Sequence, residues 1–277
     1  MRREDGSFTS GDGLRLFQRS WLPGHKSAVI IVHGYAEHSG RYDHVARELV
    51  IAGHAVYAFD LRGYGQSEGT RAFIRSIDEH LDDLTQFITN VREQQPTLPV
   101  FLIGHSMGGL VVASFVHGRD SELRGAILSG PLLKSARGFA RVGQGVLSLL
   151  GRLTPKLPLG KLSSPDISRD PAVVAAYEKD PLVFRERIPA ATVAALIRAM
   201  QAIEAKPESI TLPLLLLHGT ADALTDPEGS KTLYERAGSS DKTLKLYDGL
   251  YHEIFNEPEK QRVLSDVVSW LNERVGK

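Results

Sequence analysis

Cysteine is missing altogether from the 277 residues. Its absence excludes a disulfide framework, a thiolate metal site and a cysteine nucleophile together, and it fits a reducing compartment. Long apolar runs are missing too. The longest, such as residues 212–217, are far too short to span a bilayer. Residues 1–13 are polar and charged and offer no apolar core for a signal peptide. Nor is there an excess of charge of either sign, because 33 basic residues face 33 acidic ones. No overall basic field draws the chain to nucleic acid or to an anionic membrane. A soluble cytoplasmic protein is the expectation.

What is present is the balance of a soluble globular protein, with 42% hydrophobic and 24% charged residues. A chain of this length can bury about three quarters of its unfolded surface without a covalent or metal staple. No solenoid repeat and no low-complexity tract interrupts it. Short β-rich runs alternate with helical patterns, which is the signature of a parallel sheet with crossover helices. Residues 28–32, 55–60, 100–103, 125–128, 212–217 and 243–246 read as strands. Helical spacing appears at Tyr42, Val45, Ala46, Leu49 and Val50, with Gly53 as a stop, and again at Ile77, Leu81, Leu84, Ile88 and Val91. Residues 106–116 and 259–274 read as further helices.

Between Pro131 and Pro207 this rhythm breaks, and no strand is legible. Phe139, Val142, Val146, Leu149, Leu150 and Leu153 follow helical spacing. A stretch rich in proline and glycine follows, and then two more helical pieces near 172–178 and 190–204. The segment is about twice a normal crossover in length, so it reads as a helical cap inserted into an α/β core. The domain division is therefore 1–130 with 208–277 as core, and 131–207 as cap or lid.

Gly104-His105-Ser106-Met107-Gly108 follows directly on the 100–103 strand and precedes a helix. This is the G-x-S-x-G elbow. A strand that turns sharply into a helix leaves the serine at the apex in a strained conformation, and the flanking glycines let the two backbones pass. The helix N-terminus then offers N–H donors to a developing oxyanion. Ser106 is the candidate nucleophile. His105 beside it reads as a packed, hydrogen-bonded core histidine.

The fold's chain order of serine, then acid, then histidine is a sharp test. Of the ten histidines, only His252 lies downstream of an acid in the loop after residues 214–217. Asp222 and Asp226 both lie on that loop. Asp226 precedes Pro227 and Glu228, so it or Thr225 suits a helix N-cap, and this favours Asp222 as the acid. In these roles His252 takes the Ser106 proton and Asp222 orients the imidazole. No metal or organic cofactor is required. The oxyanion donors would be the N–H groups of Met107 and of Tyr35, which lies in the loop after the 28–32 strand.

Several motifs in order resemble the monoacylglycerol lipase and lysophospholipase group of α/β hydrolases. They are His33-Gly34 with Glu37-His38-Ser39-Gly40-Arg41-Tyr42, then Asp60-Leu61-Arg62-Gly63-Tyr64-Gly65-Gln66-Ser67, the Gly104–Gly109 elbow, His218-Gly219-Thr220-Ala221-Asp222, and Tyr251-His252-Glu253. The resemblance implies an eight-stranded, mostly parallel sheet flanked by helices, a helical cap, and esterase activity on lipid-like esters. It supports Asp222 over Asp226. It also implies that Glu37 and Arg41 bind or order the polar alcohol end of the substrate. A structural ion pair bracing the oxyanion loop is the alternative for both. Asp60 and Arg62 read as structural. Some relatives carry a second histidine three residues after the catalytic one, where this chain has Phe255, so Phe255 becomes a candidate substrate contact.

An acyl chain needs an apolar passage, and the stripe that includes Phe139, Val142 and Val146 is the candidate lining. Exposed, the same stripe would touch a membrane surface transiently. The expected reaction is hydrolysis of monoacylglycerols or similar single-chain esters through an acyl-enzyme on Ser106. Lysophospholipase, general carboxylesterase, thioesterase, aminopeptidase or acyltransferase chemistry would use the same triad. A non-catalytic ligand-binding protein on the same scaffold is the alternative from a different class.

Overall fold

The computed structural model describes residues 1–119, 122–135 and 144–276, with the backbone alone over 144–148. Eight strands form one sheet in the order β1-β2-β4-β3-β5-β6-β7-β8. They are β1 (Arg2–Thr9), β2 (Arg15–Leu22), β3 (Ala28–Val32), β4 (Ala55–Phe59), β5 (Val100–His105), β6 (Gly125–Ser129), β7 (Leu214–Gly219) and β8 (Lys242–Tyr247). β1 and β2 pair antiparallel along their whole length, and β2 runs antiparallel to β4. Every pairing from β4 to β8 through β3 is parallel.

Covered strands explain this arrangement. β3 is buried at all five positions. Ala28, Ile30 and Val32 join the core on one face of the sheet, while Val29 and Ile31 join the core on the other. Helices α2 (Asp78–Gln94) and α3 (Met107–Gly118) supply Leu84, Phe87, Val91, Leu110 and Val111 to the first core. Helices α1 (Asp43–Ile51) and α8 (Lys260–Asn272) supply Val45, Leu49, Val263, Val267 and Trp270 to the second. Sheets buried on both faces read as continuous apolar runs, which is why the inner strands were legible. The hairpin β1–β2 was not. β1 exposes nearly every side chain, so no alternation marks it.

The parallel strands end together. Val32 pairs with Gly104, His105 with Ser129, Ser129 with Leu217, and Gly219 with Tyr247. β4 ends there too, with Ala58 beside Ile31, so the loops that follow β3 to β8 gather along one edge. Between β6 and β7 lie helices α4 (Gln144–Leu153), α5 (Pro171–Lys179) and α6 (Ala190–Ala205), with no strand among the described residues. Gly151 of α4 lies against Ala194 of α6, where an added Cβ would come within 2.8 Å of the alanine methyl. These helices and their connections attach to the gathered loops. The Phe184 N–H donates to the Ala36 carbonyl at 2.8 Å, the Ile74 N–H to the Thr192 hydroxyl at 3.1 Å, and the Glu253 N–H to the Ile167 carbonyl at 2.8 Å. Phe139 and Val142 lie outside the described residues. The side chain of Val146 is likewise not described.

Candidate active site

Ser106 joins β5 to α3 (its helix begins at Met107) with φ 54° and ψ −117°. A non-glycine residue held at positive φ is strained, and such strain concentrates at functional turns. The flanking glycines make the turn passable. A Cβ on Gly104 would sit 2.4 Å from the Gly108 carbonyl oxygen, and one on Gly108 would sit 2.1 Å from that of Val32. β6 and the loop after it hold the apex. The Ser106 N–H donates to the Ser129 carbonyl at 3.0 Å, and the Leu132 N–H donates to the Ser106 carbonyl at 3.0 Å. Met107 opens α3, so its N–H has no partner within the helix.

The loop after β7 carries Asp222, and the loop after β8 carries His252. His252 Nδ1 donates to Asp222 Oδ2 at 2.7 Å, which leaves Nε2 as the basic nitrogen of the neutral ring. The carboxylate is fully engaged. Oδ1 accepts from the Leu224 and Thr225 N–H groups at 2.8 and 3.0 Å, and Oδ2 accepts from the Thr225 hydroxyl at 2.8 Å. Burial works against this charge, but His252 and His218 outweigh it and hold Asp222 well below the usual carboxylate range. The converse holds for His252. Burial lowers its pKa, yet the Asp222 charge and hydrogen bond raise it above the ordinary 6.5. Gly130 makes room here at φ 49°. Its added Cβ would lie 3.2 Å from the His252 carbonyl and 3.4 Å from Asp222 Oδ2.

Asp226 has other work. It caps helix α7 (Pro227–Arg236) by accepting from the Glu228 N–H at 3.0 Å, and it pairs with Lys134 at 2.9 Å. His105 packs against His252 with ring centroids 4.7 Å apart, and its Nδ1 donates to the Ser129 carbonyl at 3.0 Å. Burial, with the neighbouring His252, pushes its pKa down to about 4. It is therefore a neutral packed ring at physiological pH.

Tyr35 and Gly34 face the elbow from the loop after β3. A Cβ on Gly34 would lie 3.2 Å from the Ser106 Cβ. The Tyr35 N–H enters no backbone hydrogen bond among the described residues. Glu37 fixes this loop. Its Oε1 accepts from the Gly34 N–H and the Tyr42 hydroxyl, each at 2.6 Å, and its Oε2 accepts from Arg41 at 2.8 Å. Burial opposes this carboxylate, but Arg41 overcomes it and keeps it ionised. Arg41 reaches on to both oxygens of Glu253 at 2.6 and 2.7 Å, and its guanidinium lies over the Tyr177 ring at 4.9 Å.

The structure brings Ser106, Tyr35, Met107, Asp222 and His252 to one edge of the sheet. Glu37 and Arg41 are also there; Glu37 is buried and Arg41 keeps 11% of its side chain exposed, and their bonds to each other, to Gly34, Tyr42 and Glu253 brace the two loops. Phe255 is a correction. Its side chain is 3% exposed and packs in the core with α1 and α8, where burying an aromatic ring outweighs exposing it at the site. At the C-terminal end of the 139–153 stripe, Leu149 and Leu153 are 56% and 68% exposed, so they line no enclosed passage. Reading the sequence missed His218, whose Nε2 lies 3.2 Å from Asp222 Oδ2. Its place four residues before the acid, inside a recognised motif, was the available signal. Phe184 and Ile167, which tie the helices between β6 and β7 to the site, carry no local signal.

The model of the family described as serine aminopeptidase, S33, matches residues 23–259. The chain belongs to this family of serine hydrolases. It is 41% identical to the monoacylglycerol lipase of Mycolicibacterium smegmatis, covering 97% of both chains. It is 38% identical to the human monoglyceride lipase over 96% of this chain and 89% of that one. The crystal structure of the Paleococcus ferrophilus monoacylglycerol lipase superposes with a TM-score of 0.85 at 36% identity, covering 94% of this chain and 99% of that one. These relatives agree with an α/β-hydrolase fold and a serine esterase or lipase.

Proposed function

We propose that the chain hydrolyses monoacylglycerols through an acyl-enzyme on Ser106. The observation that carries the reaction is the buried Asp222–His252 hydrogen bond of 2.7 Å on the edge that presents the Ser106 elbow. The substrate class rests on relatives with monoacylglycerol lipase activity that match nearly end to end. The Ser106 hydroxyl attacks the ester carbonyl and passes its proton to His252 Nε2. The N–H groups of Tyr35 and Met107 receive the oxyanion. His252 returns the proton to the departing glycerol, and water then releases the fatty acid by the same route in reverse. Asp222 holds the ring and supports its charged form.

Residues 131–207 act as a cap in this reading, and one face of the cap meets the lipid surface where the substrate lies. Arg71, Lys156, Lys161, Arg185 and Arg187 line a cleft of about 810 Å³ whose described lining has one carboxylate, Glu186. Leu157, between the lining residues Lys156 and Pro158, stands exposed, as do Leu149 and Leu153 of α4. Exposed leucines and a cleft richer in cations than in carboxylates suit an anionic interface.

The test is hydrolysis of 1-monoacylglycerols of increasing chain length beside p-nitrophenyl esters of matched length. Each buried methylene adds about 0.8 kcal/mol, so kcat/KM rises steadily with chain length up to a long-chain optimum. Cleavage of short activated esters alone would overturn the substrate assignment and leave the triad standing.

A further inference from the structure

Asp222 is flanked by two imidazoles, His252 at 2.7 Å and His218 at 3.2 Å from the same oxygen. His218, the fifth residue of β7, is fully buried. Its Nε2 lies 3.2 Å from Asp222 Oδ2 and donates to the Thr225 carbonyl at 3.3 Å. The Thr225 hydroxyl also lies 3.3 Å from Nε2, but it gives its proton to Asp222 Oδ2 at 2.8 Å, so an N–H at Nε2 meets acceptors on every side. Nδ1 lies 2.7 Å from the Ser230 hydroxyl on α7, and in the neutral ring it accepts from that hydroxyl. Ser230 is itself fully buried. A continuous chain therefore runs Ser230, His218, Asp222, His252 toward Ser106.

Resting on the reading of Asp222 and His252 as acid and base, we propose that His218, oriented by Ser230, is a positioning residue that sets the charge Asp222 presents to His252. The argument is one of shared charge. Oδ2 of Asp222 takes the His252 proton donor at 2.7 Å and the Thr225 hydroxyl at 2.8 Å, with the His218 N–H polarising it from 3.2 Å. Each donor draws on the same oxygen in a dry site, where such interactions are strong. His218 thus keeps the acid from holding His252 too tightly protonated, and it anchors the Thr225 carbonyl so that the acid loop keeps its shape.

Other groups facing this carboxylate are accounted for. From β5 comes His105, whose pKa of about 4 keeps it neutral. From the loop after β8 comes Glu253, which is paired with Arg41. Glu37 is held by the same arginine. Asp226, at the start of α7, is paired with Lys134. Among the described residues, His218 is the one second histidine in contact with the acid.

The experiment compares His218→Leu and His218→Gln with wild type by the pH dependence of kcat/KM on a soluble ester, per site titrated with a fluorophosphonate. The glutamine amide keeps a donor near the Nε2 position, and leucine removes it. His218→Leu should lower kcat by about tenfold or more with little change in KM, and it should move the acid limb of the profile to higher pH as His252 becomes harder to deprotonate. His218→Gln should restore both. If the leucine variant does not fold, Ser230→Ala should move the same limb in the same direction by a smaller amount, because Nδ1 loses its orienting hydroxyl. An acid limb that stays at the wild-type position, or a glutamine variant no better than leucine, overturns the proposal. Labelling of wild type at Ser106 in the same series separates this outcome from failure of the triad itself.

Discussion

Arg41 grips both oxygens of Glu253, at 2.6 and 2.7 Å, one residue after His252 in the chain. The same guanidinium holds Glu37, which in turn holds the Gly34 N–H beside Ser106. One largely covered cation therefore fixes the loop after β3 and the loop after β8 relative to each other. Removing it leaves two buried carboxylates facing each other without their counter-charge. Arg41→Met should cost about 3–5 kcal/mol of stability, read as a lower urea midpoint. It should lower kcat more than it alters KM, since the loops it sets act in the transition state. An unchanged midpoint would contradict the bracing role.

The two aspartates of the 218–226 loop differ in what they touch. Asp222 holds His252, while Asp226 caps α7 and pairs with a half-exposed lysine. Asp222→Asn should lower kcat by up to about 10⁴-fold, because the amide cannot accept the Nδ1 proton in the same way. Asp226→Asn keeps a good N-cap and loses only a surface ion pair, so its cost should stay under about 1 kcal/mol with activity within a few-fold of wild type. Steady-state rates on both variants check this, and the reverse ranking would move the acid.

The acid limb of the activity profile should lie above the ordinary histidine value of about 6.5. Burial alone would lower it, but the Asp222 charge raises the His252 pKa, so the base is lost to protonation at a higher pH than for a free imidazole. His105 contributes nothing to that limb, being held near 4. A profile of kcat/KM against pH reads this directly. A limb below 6.5, or none, would count against His252 as the base.

The proposed lipid-facing role of residues 131–207 predicts a preference for anionic vesicles. Co-sedimentation should be stronger with phosphatidylglycerol vesicles than with phosphatidylcholine alone, and salt should weaken it. Lys156→Glu with Lys161→Glu should reduce binding to the anionic vesicles and spare hydrolysis of a soluble ester. Equal binding to both vesicle types would remove the charge argument.

How much of this could be read from the residues follows from what each element exposes. The inner strands were legible because burial on both faces leaves an unbroken apolar run, as at Ala28–Val32. The β1–β2 hairpin was not, since its outer strand is polar on both sides. Ser106, Asp222 and His252 stood out in the sequence as candidates because the elbow's steric demands and the chain order leave few choices. Phe255 misled because its position in the motif suggested the site, while its side chain turns into the opposite core. His218 went unnoticed because a buried histidine on a strand looks like packing until its ring is seen beside the acid.

The central claim is that Ser106 carries the acyl group of a monoacylglycerol. The most direct measurement is glycerol and fatty-acid release from 1-oleoylglycerol by wild type and by Ser106→Ala, with the fluorophosphonate adduct of wild type mapped by peptide mass spectrometry. The account predicts turnover by wild type alone and an adduct on Ser106. Turnover by the folded alanine variant, or an adduct on another residue, would contradict it.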